Sequence, residues 1–85
     1  METELEREIT NLVAEIIEME PQELWDKRSL QFVEELGVDS MLSLEVLAAL
    51  EKKYRIEIPE ENVLDLVHLQ ATIDLVQRRI QESAA

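Results

Sequence analysis

The sequence contains no cysteine. That excludes a disulfide framework, a thiolate metal site and a cysteine nucleophile. It also suits a chain that carries a thiol supplied from elsewhere, because no native thiol competes with it. Glycine occurs once and proline twice, and β-branched residues never alternate in a run. An all-α fold is therefore expected. No apolar stretch approaches the roughly 20 residues that span a bilayer. Basic residues are scarce, 8 against 20 acids, for a net charge of -12. Nucleic-acid binding needs the opposite sign and is excluded. His68 is the only histidine. A general base needs a polar partner, and none stands near it in sequence, so a small enzyme is disfavoured and no catalytic residue is assigned.

What is present fits one small domain over residues 1–85, large enough for a single core. The start Met1-Glu2-Thr3-Glu4 is acidic, which is wrong for a secretory signal. With a capped helix following at once, a free-standing, monomeric, cytoplasmic protein is expected. The acidic surface admits two readings: it steers partners that carry basic patches, or it keeps a small apolar domain in solution.

Thr3-Glu4-Leu5-Glu6 reads as a capping box, with a hydroxyl at the N-cap and a carboxylate three positions on. Leu5, Ile9, Leu12, Val13, Ile16 and Ile17 then fall at helical spacing. Pro21 disfavours helix at Glu20, so the first helix is placed at about 4–19. Residues 20–38 are the least regular part, with a short helical turn possible at Gln22–Trp25. Leu24, Trp25, Leu30, Phe32, Val33 and Leu36 make this long loop too apolar to be free, and it should pack down on the bundle. Trp25 is expected as a core anchor or a lid over the core.

The chain then reaches Leu36-Gly37-Val38-Asp39-Ser40-Met41. Gly37 is expected to supply a positive φ. Asp39 reads as an N-cap, which makes Ser40 the first helical residue with its hydroxyl at the surface. Read alone, such a dipeptide is an ordinary cap. A phosphate esterified to Ser40 would nevertheless face free amides and the positive end of a helix dipole. This second long helix should run to about Tyr54. Val46, Leu47, Leu50 and Tyr54 face the core, and Met41, Leu44 and Ala48, with Glu45 beside them, lie on a neighbouring face. That face either meets partners or packs beneath the long loop. Arg55–Pro59 reads as an extended connection anchored by Ile56 and Ile58. Pro59-Glu60-Glu61 opens a short third helix with Val63, Leu64, Leu66 and Val67 as its apolar residues. His68 is expected to cap or join the last helix, at about 69–81.

Taken together, Phe32-Val33-Glu34-Glu35-Leu36-Gly37-Val38-Asp39-Ser40-Met41 matches a hydrophobic-x-x-x-Leu-Gly-x-Asp-Ser-Leu signature. Leu44–Glu51 and Tyr54–Pro59 follow at the right spacing. In this the chain resembles the acyl carrier proteins over almost its whole length. The resemblance implies a four-helix bundle of three longer helices and a short third one, with a long loop between the first two. It implies that Ser40 is esterified by 4'-phosphopantetheine from coenzyme A and that the arm's thiol carries acyl groups as thioesters between enzymes of fatty-acid, lipid or polyketide-type synthesis. Asp39 would contact the phosphopantetheinyl transferase or its metal ion. Met41, Leu44, Glu45 and Ala48 would dock acyl-transferring, condensing and acyl-modifying enzymes that carry basic patches.

The chain departs from fatty-acid members of that family at Leu42, where an acid is usual, and at Lys52 and Lys53. It departs again at Val67-His68, where a threonine-containing junction is usual. These departures point to a specialised carrier of a secondary lipid, polyketide-like or other dedicated pathway. Ala48 and Ala49 would leave room for an acyl chain between helices. A peptidyl or aminoacyl carrier, and an unmodified helical interaction module, remain as alternatives.

Overall fold

The computed structural model describes residues 3–59, 61–62 and 66–84, the last two without their side chains. Within these residues five helices form: α1 (Glu4–Ile17), α2 (Pro21–Asp26), α3 (Phe32–Glu35), α4 (Ser40–Tyr54) and α5 (Leu69–Ala84). The all-α expectation and its three long helices are met. The short third helix expected after Pro59 falls mainly on residues 60 and 63–65, outside the described residues. Of its neighbours, Asn62 N donates to Pro59 O at 2.8 Å, a single tight turn.

α1 begins as its sequence dictates. Thr3 Oγ1 accepts from Glu6 N at 3.1 Å, and Thr3 N donates back to Glu6 Oε1 at 2.6 Å. The helix ends at Ile17, two residues earlier than expected, because Glu18 turns left-handed at φ 58°. Its N–H and that of Met19 close on Ala14 O. Pro21 acts in two ways. It holds Glu20 extended, and it serves as the first residue of α2, where its missing N–H costs nothing. The expected irregular loop thus carries two short helices.

α1 packs against α2, α4 and α5. Its Ile9 and Val13 meet Leu24, Leu50, Leu69, Ile73 and Val76 in a core where all seven are fully buried. Leu24, Phe32 and Val38 anchor the 20–38 segment in the core, and of its two expected places Trp25 takes the one over the core. Trp25 is half-buried against the edge of the core, with the Arg28 guanidinium 4.5 Å from its ring centroid. Ile56 and Ile58 are buried as expected. The connection carrying them is held by Glu51, whose carboxylate accepts from Ile58 N at 2.9 Å. His68 caps α5: Nδ1 accepts from Ala71 N at 3.0 Å, and its carbonyl accepts from Thr72 N.

One long-range polar contact ties α1 to α4. Tyr54 donates its hydroxyl hydrogen to Glu8 Oε1 at 3.0 Å. Burial, then the hydrogen bond and the charge of Glu8, push the phenol above its ordinary range. Tyr54→Phe should lower the unfolding free energy by about 1 kcal/mol at neutral pH. The folded phenol keeps its proton where the unfolded one, with a pKa of about 10, loses it. The stabilisation is therefore complete below about pH 10 and falls as the pH rises further. Urea melts at neutral and alkaline pH should show wild type and Tyr54→Phe converging as the pH rises.

Candidate functional site

The site is built where α4 starts. Val38 is buried at 3 % exposure, and its N–H donates to Phe32 O at 2.8 Å. Gly37, at φ +70°, makes the turn that allows this. A side chain there would meet no neighbour, so the glycine is required by its backbone and not by space. Asp39 follows in extended conformation, and its Oδ1 accepts from Leu42 N at 2.8 Å. Its carbonyl accepts from Ser43 N at 3.1 Å. Ser40 is then the first residue of α4 and is exposed. The local geometry expected for Gly37, Asp39 and Ser40 is the geometry observed.

Met41, Leu44, Glu45 and Ala48 are all exposed, on one face of α4. Met41 is 71 % exposed and Leu44 44 %. They do not pack beneath the preceding segment. Val46, Leu47 and Leu50, on the other side, are buried. No acid lies in the first turn of α4, and Lys52 and Lys53 occupy its last turn, where cations suit the dipole.

Beside Ser40 opens a cleft of about 330 Å³. Ser40, Ser43 and Leu44 of α4 form one side. Gln31, Val33 and Glu34 form the second, and Leu66 and Val67 the third. The second and third sides are fastened by a hydrogen bond from Phe32 N to Val67 O at 2.8 Å. Sequence reasoning missed this cleft. Val33 was expected to pack on the bundle, but it is 64 % exposed because Phe32 takes the buried side of the single turn of α3. Val67, expected as one of the apolar residues of the short third helix, is 46 % exposed. The usable signal was local: Val33 precedes Glu34 and Glu35, and one helical turn cannot bury adjacent residues equally. The room expected beside Ala48 and Ala49 does not form part of this cleft.

Among the described residues, no group of three or more His, Cys, Asp or Glu side chains is placed to hold a metal ion. No described helix is long and apolar enough to cross a membrane. The arrangement therefore offers one exposed hydroxyl at a capped helix start, an apolar cleft beside it and an apolar face below it.

The family model described as the phosphopantetheine attachment site matches residues 7–76. The chain belongs to the acyl carrier family. It is also 30% identical over 82 residues to the Polyketide-8 synthase acyl carrier protein 2 of Streptomyces avermitilis, covering 95% of this chain and 92% of that one. Its cofactor is 4'-phosphopantetheine, attached covalently, and the protein is a carrier and not an enzyme.

The cap is the testable part of this geometry. Asp39→Ala should cost about 1 kcal/mol and lower Tm by about 5 °C, while Asp39→Asn keeps an accepting oxygen and most of the stability. Thermal melts followed by helical circular dichroism would read both.

Proposed function

We propose that Ser40 carries the 4'-phosphopantetheine arm, and that the arm's thiol holds acyl intermediates as thioesters and passes them between enzymes of polyketide-type synthesis. The observation that carries this reading is an exposed Ser40 at the first position of a helix capped by Asp39. In the transfer, the serine oxygen forms a bond to the phosphorus that bears the pantetheine of coenzyme A. The pyrophosphate bond breaks, the adenosine bisphosphate leaves, and the hydroxyl proton passes to a base of the transferase. The resulting phosphodiester stands at the positive end of the α4 dipole, where an anion is favoured.

Asp39 contacts the transferase or its metal ion in this reading. Its capping bond engages Oδ1 with Leu42 N, which leaves Oδ2 available to an incoming group. Met41, Leu44, Glu45 and Ala48 form the docking face. The net charge of -12 draws in partners with basic patches. A tether raises the local concentration of the thioester at a docked enzyme, so each contact can stay weak and reversible. The relative's name favours polyketide-type over fatty-acid synthesis, as do the departures at Leu42, Lys52 and Lys53. The cytoplasm, where coenzyme A and transferases meet such chains, fits this role.

Incubation with coenzyme A and a broad-specificity transferase should add one phosphopantetheine to the intact mass of the wild type. Ser40→Ala should show no gain; a gain that persists would move the attachment elsewhere. Leu44→Ala should cost the transfer about tenfold in kcat/KM, with Tm nearly unchanged because the side chain is outside the core.

A further inference from the structure

We infer that the polar cavity between α5 and the turn after Pro59 seats a carboxylate side chain of a partner protein, a contact of opposite sign to the rest of this acidic chain. The cavity holds about 130 Å³ and is lined by Asn62, Leu75, Arg78, Arg79 and Glu82. None of these residues lines the cleft beside Ser40. Arg79 stands ten residues along α5 from Leu69, about 15 Å down the helix axis. The inference is therefore independent of what Ser40 carries.

Two of the chain's 8 basic side chains meet at this cavity. Cations in the last turn of a helix complement its dipole, but the last turn of α5 carries no base. The pair lies before it and needs another account. Among the described residues Arg78 makes no hydrogen bond or ion pair. Arg79 has two weak contacts. Its Nη2 donates to Asn62 Oδ1 at 3.4 Å, and its Nη1 lies 4.0 Å from Glu82 Oε2. The first is a long hydrogen bond, and the second stands at the outer limit of an ion pair. A guanidinium has five N–H donors, so most of the donors at this cavity have no partner among the described residues.

The lining fits a carboxylate. Each guanidinium presents a planar fork of N–H groups that matches two carboxylate oxygens. Two cations outweigh the single anion, Glu82. Leu75, 3 % exposed, lies beneath, so attraction here is screened less than on open surface. The loop side is set by backbone, since Asn62 N donates to Pro59 O at 2.8 Å.

The field of the whole chain selects the source of that carboxylate. A free anion approaches against a net charge of -12. A carboxylate on a partner whose surface is otherwise basic is drawn in with that partner and reaches the cavity at high local concentration. A partner bearing only cations meets two like charges there. The cavity thus reads the pattern of a partner's charge and not its sign alone.

The test adds acetyl-Lys-Ala-Glu-Ala-Lys-amide, or its Gln counterpart, to the full chain at matched ionic strength. Net charge alone favours the Gln peptide, which is the more cationic. The Glu peptide should nevertheless be the one that shifts the Nε–H signals of Arg78 and Arg79 in NMR titrations. Arg79→Gln should weaken its binding about tenfold, with Tm unchanged. Glu82→Gln, which removes the competing anion, should strengthen it, a gain that damage to the fold would not produce. Equal shifts from both peptides, or none from the Glu peptide, overturn the inference. Inorganic phosphate that shifts the two signals at a lower concentration than the Glu peptide overturns a partner protein as the source.

Discussion

The hydrogen bond from Leu42 N to Asp39 Oδ1 decides where α4 begins. Three consecutive residues depend on it. Val38 is drawn into the core, Asp39 closes the free end of the helix, and Ser40 is left outside. Gly37 makes this possible, since only a residue at ease with φ +70° lets the chain reverse within so short a space. Because Ser40 takes no part in the core, a bulky group added there displaces no packed side chain. The hydroxyl is thus fixed in place by the helix start while the core does not depend on it.

Legibility followed the range of the forces involved. α4 was readable to its ends because its cap, its glycine and its apolar stripe are all written within a few residues of one another. His68 as the cap of α5 and Ile56 with Ile58 as buried anchors were readable for the same reason. The end of α1 was misplaced by two residues because Glu18 adopts a left-handed conformation, which nothing in a glutamate announces. α3 was not seen, since a single turn has little stability of its own. It is held by bonds to distant chain, above all Phe32 N to Val67 O across 35 positions of sequence. The cleft was invisible for that same reason. Its three sides come from segments joined only by the fold, and the outward aspect of Val33 and Val67 is set by what Phe32 and Leu66 bury.

Charge and apolar surface divide the work of recognition. The net charge of -12 acts over a Debye length, so it attracts groups of opposite sign and weakens as salt rises. At contact the situation differs. The first turn of α4 carries no acid, and Val33, Met41, Leu44 and Val67 are large apolar side chains left exposed around Ser40. A surface of this kind is attracted from afar by charge and held at short range by burial. Neither contribution need be large for the two to act together, and modest contributions leave contacts on this surface reversible.

Leu44 lines the cleft and also stands on the exposed face of α4, so one side chain joins the two apolar surfaces beside Ser40. The cleft's second and third sides are fastened by the bond from Phe32 N to Val67 O. Behind them the core is filled by Ile9, Val13, Leu50 and Ile73, all without exposed surface. Any further burial of apolar surface at this end of the molecule therefore happens at the exterior, where it removes Val33, Leu44 and Val67 from water and asks no packed side chain to move.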